Sequence, residues 1–242
     1  MAIFDDLEAE EDRLQDILEG LDESQWTTES GAPGWSIADV VLHLAQSEEG
    51  VVATVTGVGV DARPDAGVSV DEAMARLVES QRDTPDRIFQ RWRTARVSAL
   101  AELRAADPGK QVRWIEAPLK PPTLATTRLA EHWAHALDIT EPLGIDLPDT
   151  DRLRHIAWLA HRSLAYAFSL AGEPDQQVHC ELTGPEGDIW EYGPPDAASS
   201  ISGSAGAFCR VAAQRLAPDQ SDLRAAGPHG VAALSVLRTY AA

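Results

Sequence analysis

Apolar residues recur every three or four positions from Phe4 through Leu7, Leu14, Ile17, Leu18 and Leu21, with acids between them, which predicts an amphipathic helix. The Thr27-Thr28 pair, Ser30, Gly31 and the Pro33-Gly34 pair predict a turn across residues 26–35. Ser36 then opens a second helix. Its hydroxyl can accept a free N–H of the first turn, and Asp39 stands three residues on, as in a capping box. The buried face of this helix reads Ile37, Val40, Val41, Leu44 and Val51. After a loop over 57–67 the same spacing resumes at Val70, Met74, Leu77 and Val78, and again at Ile88, Trp92, Leu100 and Leu103. Pro85 therefore lies inside one long helix or separates two. The run Asp107-Pro108-Gly109 ends this stretch, 112–115 reads as extended, and Pro118, Pro121 and Pro122 are expected to keep the link non-helical. Helices follow over 123–143, stopped by Gly144, and over 151–170, stopped by Gly172 and Pro174.

Near Gln177 the period changes. Residues 177–182 alternate polar and apolar, 184–187 carry a turn signal, and 189–192 form the expected partner strand of a β-hairpin. A helix rich in small residues is expected over 203–216 and a last one over 231–240. The fold class is therefore α+β, mainly α: a helical bundle over 1–172 followed by a small α/β domain over 173–242.

Composition removes several functions. The 242 residues carry 20 Lys and Arg against 39 Asp and Glu, a formal net charge of −19, and no run of five basic residues occurs. Such a surface repels nucleic acid and anionic lipid. The longest uncharged apolar stretch, 50–60, falls well short of the ~18 residues of a membrane span. The first residues carry neither a basic nor an apolar leader pattern, so a cytoplasmic location is expected. Cys180 and Cys209 lack CxxC spacing and read as reduced structural cysteines.

An acid four residues before a histidine places both on one side of a helix, where they can share a metal ion. Four such pairs occur: Asp39/His43, Glu131/His135, Asp151/His155 and Asp175/His179. Chance alone supplies about one in a chain of this composition, so spacing selects none of them. Taken alone, His43 between Leu42 and Leu44 reads as a core histidine.

The surrounding sequence discriminates. The segment Pro33-Gly34-Trp35-Ser36-Ile37-Ala38-Asp39-Val40-Val41-Leu42-His43-Leu44 and the later Arg128-Leu129-Ala130-Glu131-His132-Trp133-Ala134-His135-Ala136-Leu137-Asp138-Ile139 resemble two segments of the mycothiol-dependent maleylpyruvate isomerase family. That family belongs to the DinB-like metal-binding four-helix bundles and carries a small α/β C-terminal domain. The resemblance implies that His43, Glu131 and His135 hold a divalent metal, usually zinc, and that a low-molecular-weight thiol such as mycothiol is the co-substrate. Two imidazoles and one carboxylate suit Zn²⁺ and leave a fourth position for an exogenous ligand.

Neighbouring residues carry subsidiary expectations. His132 lies ~100° round the helix from Glu131 and should face elsewhere. Asp138, three residues after His135, reads either as an exposed or helix-end acid or as an acceptor for an imidazole N–H, and Arg128 is placed to pair with Glu131 or meet an anionic substrate. Arg210 and Arg215 read first as solvated ion pairs; the resemblance, in which the C-terminal domain supplies an arginine that clamps a substrate carboxylate, favours Arg215 as the catalytic one. The tryptophans, Trp35, Trp92, Trp114, Trp133 and Trp158 among them, read as bundle packing, with Trp114 and Trp133 as alternative candidates for a pocket wall, and His155, His161, His179 and His229 read as surface or structural. The expected function is a zinc-dependent enzyme using a small thiol for isomerisation or S-transfer on an electrophilic small molecule. A hydrolase or lyase working through metal-bound hydroxide and a non-catalytic metal-dependent binding protein are the alternatives.

Overall fold

The computed structural model describes residues 3–58, 69–115 and 117–239. The first helix, α1 (Ile3–Glu19), buries Leu7, Leu14 and Leu18 as its spacing predicts. A single turn, α2 (Glu23–Trp26), interrupts the link that follows, because Asp22 and Gln25 form a reciprocal capping box. Helix α3 (Ile37–Thr56) starts where expected: Ser36 Oγ accepts the Asp39 N–H and Asp39 Oδ2 accepts the Ser36 N–H. It ends at Gly57, whose φ of 70° closes the last turn as a left-handed cap. The rest of the loop expected over 57–67 lies, beyond Val58, outside the described residues.

Pro85 separates two helices, α4 (Val70–Ser80) and α5 (Pro85–Ala105), and occupies the first turn of the second. Helix α6 (Pro121–Leu143) corrects the expectation that Pro121 and Pro122 stay non-helical. A proline in the first turn gives up an N–H that no helical carbonyl would have accepted, so it begins a helix readily. The extended stretch expected over 112–115 is reduced to a single bridge between Val112 and Leu119.

The four long helices pack around one core, α3 against α5 and α1 against α6, with α3, α5 and α6 also in mutual contact. Leu7, Leu14, Val40, Val41, Leu44, Trp92, Leu103, Leu124, Leu129 and Trp133 fill it. Among the described residues no helix is long and apolar enough to cross a membrane.

The chain divides into two compact units between Leu147 and Pro148, ahead of the boundary expected at 172/173. Helices α7 (Leu153–Arg162) and α8 (Leu164–Leu170), expected as one helix ending the bundle, are broken at Ser163 and belong to the second unit. Their periodicity marks an apolar face but does not say which layer it covers. Here α7 covers α9 (Ala205–Ala212) and the sheet strand β2 (Ile189–Tyr192).

The expected hairpin forms between β1 (Val178–Thr183) and β2, with Cys180 opposite Tyr192. Two strands were not legible. In β3 (Ser199–Ser204), which runs parallel to β1, Ile201 is the one large apolar residue; β4 (Arg224–Ala226) is three residues long. The sheet order is β2-β1-β3-β4. Helix α9 is accordingly shorter than the expected 203–216, and the last helix, α10 (Gly230–Val236), stops short of Tyr240, which lies outside the described residues. Both cysteines are buried and unpaired. Burial pushes the Cys180 thiol up to about 12 and raises Cys209 as well. The fold is α+β and mainly α, as expected.

Candidate metal centre

Two helices of the first unit build the centre. His43 projects from the second turn of α3, and Glu131 and His135, one turn apart, project from the middle of α6. Glu131 Oε2 lies 3.8 Å from His43 Nε2 and 3.6 Å from His135 Nε2. The imidazoles meet edge to face, with centroids 5.0 Å apart at 72°. One donor atom from each residue falls within 4.8 Å of the other two. The histidine side chains are 13% and 11% exposed and the Glu131 side chain 31%, so the carboxylate side of the cluster faces solvent.

The protonation states suit a cation. Burial depresses the His43 pKa despite the opposing pull of Glu131, so its imidazole is neutral at neutral pH. Burial works to raise Glu131, yet its contact with His43 and the positive Arg128 nearby hold it well below the usual carboxylate range. Two imidazole nitrogens and one carboxylate oxygen, convergent and partly reachable from solvent, fit a divalent ion of the zinc type.

The centre is braced at both ends. Asp138 Oδ2 accepts the Nδ1–H of His135 at 2.9 Å, which leaves the Nε2 lone pair turned toward Glu131. Asp138 also receives a chain contact: the Gly31 N–H donates to its main-chain carbonyl at 2.7 Å. That carbonyl is available because the residue four on, Pro142, has no N–H to offer it. Gly31 is needed there, since a Cβ would stand 3.0 Å from Asp138 Cα and Oδ1. The same loop ends at Trp35, whose ring packs on His43 at 5.1 Å and 47°. His43 Nδ1 is buried and has no hydrogen-bond partner among the described residues.

Other residues singled out from sequence fall elsewhere. His132 points into the core: its Nε2 accepts the Trp92 indole N–H at 3.2 Å and its Nδ1 donates to the Arg128 carbonyl at 2.9 Å. Burial and the Arg128 charge push it down to about 3. Arg128 pairs with Glu48 of α3, Nε to Oε1 at 2.7 Å, and not with Glu131. Trp133 packs in the core, as expected of a bundle tryptophan, and Trp35 packs beside the centre. In the second unit, Arg210 forms a two-pronged pair with Asp149 at 2.8 and 3.0 Å. Arg215, just past α9, donates to the Ala213 carbonyl at 2.8 Å. His179 meets Glu191 at 3.7 Å on the sheet, and His161 bonds the Val178 carbonyl.

Sequence reasoning missed Glu48, Gly31 and the buried Glu11. The only signal for Gly31 and Asp138 meeting was a proline four residues after Asp138, in the last turn of a helix. Glu48 and Glu11 sit among apolar positions of their helices, which is itself a signal that their charge has a partner inside.

The model of the mycothiol maleylpyruvate isomerase N-terminal domain matches residues 7–140, which include His43, Glu131, His135 and Asp138. Uncharacterized proteins of two Mycobacterium tuberculosis strains are 35% identical to the chain over 98% of its length and 94% of theirs. The crystal structure of the mycothiol-dependent maleylpyruvate isomerase is similar with a TM-score of 0.64 at 16% identity, covering 93% of this chain and 91% of that one. A histidine-to-alanine mutant of that enzyme gives 0.63 at 15%. The likeness to the solved structures concerns the fold; the match over 7–140 and the full-length relatives decide the kinship. The chain belongs to the mycothiol maleylpyruvate isomerase N-terminal domain family.

Proposed function

We propose that the protein is a metal-dependent enzyme that uses a low-molecular-weight thiol, mycothiol or a close analogue, to isomerise or conjugate an electrophilic small molecule. The observation that carries this reading is the convergence of His43, Glu131 and His135 within 4.8 Å, with the carboxylate side open to solvent. Family membership supports thiol-dependent isomerisation, because the related isomerase is described as mycothiol-dependent. His43, Glu131 and His135 would hold a divalent ion, zinc by preference, which would supply Lewis acidity to lower the pKa of a bound thiol.

The chain's own residues do the rest. Glu131 contributes the negative charge that offsets part of the ion's, and Asp138 fixes the His135 tautomer and ring plane. Trp35 covers one face of His43 and offers an apolar wall to a bound ligand. Cys180 and Cys209 are buried with raised pKa values, so the reacting sulfur is that of the co-substrate. Arg215 is our candidate for binding a substrate carboxylate, the role for which a guanidinium is best shaped.

Metal analysis of the purified protein is the first test, with about one divalent ion per chain expected. The second replaces zinc with cobalt and titrates mycothiol and glutathione separately. A sulfur-to-cobalt charge-transfer band on thiol addition, together with a thiol-dependent rise in Tm, is expected for the loaded protein and not for the apo protein. A spectrum unmoved by either thiol, in protein that cleaves esters or amides, would assign the centre to hydrolysis instead.

A further inference from the structure

Beneath the candidate centre lies a charged cluster that the proposed chemistry does not use. Glu48 and Arg128 are 0% and 3% exposed, and their 2.7 Å contact joins α3 to α6. Glu48 Oε2 and Arg128 Nη2 have no hydrogen-bond partner among the described residues. Glu11 of α1, 1% exposed, with neither carboxylate oxygen hydrogen-bonded and Oε2 3.7 Å from Arg96 Nη1, completes the cluster with His132. These acids do not make a second metal site. Both ring nitrogens of His132 are engaged, by Trp92 and by the Arg128 carbonyl, and a guanidinium already occupies Glu48.

A lone buried ion pair adds little stability over an apolar pair of the same size, because desolvation offsets the attraction. Its position is informative instead. The two helices it joins are the ones that carry the three donor residues: His43 and Glu48 share α3, and Arg128 stands one turn before Glu131 on α6. Without such a link, α3 and α6 could slide or rotate by fractions of an ångström while keeping an apolar interface intact. With it, the register that brings His43 to Glu131 is fixed, and a fixed positive charge sits one turn from the anionic donor.

We infer that Glu48 and Arg128 are a positioning pair: they lock the register of the two donor-bearing helices and orient Glu131 for the metal. This rests on the metal-centre reading above. The pair touches neither the metal nor the substrate, and it acts through Glu131 and His43.

The test separates fold from site with the double variant Glu48→Met/Arg128→Met. Either single change leaves an unpaired buried charge and should lower Tm strongly, whereas the double variant removes both charges and should regain most of the wild-type Tm. Its zinc affinity, measured by competition with a chromophoric chelator, should remain about 10- to 100-fold weaker than wild type, the usual range for partners beyond the ligands themselves. Arg128→Lys keeps the buried charge but not the planar fork, and should fold with an affinity between the two. A double variant with wild-type Tm and wild-type zinc affinity would make the pair purely structural and overturn the inference. If the double variant does not fold, Arg128→Lys decides: unchanged affinity there overturns it equally. Failure of the metal-centre reading looks different, since the wild-type protein would then bind no stoichiometric zinc, or His43→Ala would bind it as well.

Discussion

Replacing Asp138 isolates the brace from the ligands. In Asp138→Ala the carboxylate that accepts His135 Nδ1–H at 2.9 Å is gone, while the main-chain carbonyl that accepts the Gly31 N–H remains, so the loop stays docked. Asp138 is 2% exposed, so water does not readily replace the lost acceptor. A hydrogen bond to a charged partner in such surroundings contributes about 1.5–3 kcal/mol net. At about 1.4 kcal/mol per decade this corresponds to roughly 10- to 100-fold in zinc affinity. Asp138→Asn retains a neutral acceptor for the same N–H and should lose less. The expected order of zinc affinity is wild type, Asn, then Ala, read by competition titration against a chelator. Tm of the metal-free protein should serve as the control for folding. Equal zinc affinity in wild type and Asp138→Ala, with both folded, would refute the reasoning that Nδ1 anchoring prepares Nε2.

Three further outcomes are expected. His43→Ala and His135→Ala should purify without stoichiometric metal, whereas His132→Ala should retain metal but melt lower. The His132 change orphans the buried Trp92 N–H at a cost of about 1–3 kcal/mol, while the Arg128 carbonyl keeps its helical N–H partner, and elemental analysis with thermal melts checks the pair. Gly31→Ala should push Asp138 away and weaken both zinc binding and stability, the latter by about 1–3 kcal/mol as overpacking usually does. Glu11 is held well above the ordinary value of 4.5, chiefly by burial and then by Glu48, so the folded chain keeps a proton there that the unfolded chain releases. Stability should fall as pH rises from about 4.5 through the raised value. Glu11→Gln should therefore match wild-type Tm near pH 4.5 and exceed it at pH 8; a Tm difference independent of pH would contradict this.

The helical unit was legible because its signals are local. Ser36 and Asp39 cap α3, Gly57 and Gly144 end helices, and apolar residues at helical spacing mark the buried faces. The second unit was half legible. The β1–β2 hairpin follows from alternation around a turn, but β3 has the sequence Ser-Ser-Ile-Ser-Gly-Ser and forms because β1 and β4 flank it, which no local pattern encodes. The three donors His43, Glu131 and His135 were singled out through a resemblance, since spacing offered four equivalent acid–histidine pairs. The brace was only partly visible: Asp138 lies one turn after His135, but its union with Gly31 is a long-range contact. Arg128 was expected to pair with Glu131, its neighbour in sequence, or to meet an anionic substrate; its ion-pair partner is Glu48, a neighbour only in space.

Pro142 gives the molecule a trade-off that helix propensity alone would misjudge. By propensity alone, alanine is better than proline inside a helix by about 3 kcal/mol, so Pro142→Ala is a change that a stability-minded engineer would select. Here the missing N–H leaves the Asp138 carbonyl unclaimed and hands it to Gly31. An alanine at that position offers an N–H that competes for the same oxygen, and the loop bearing Trp35 loses its tether. A better α6 would thus hold a looser centre, and thermal stability and site precision would move in opposite directions.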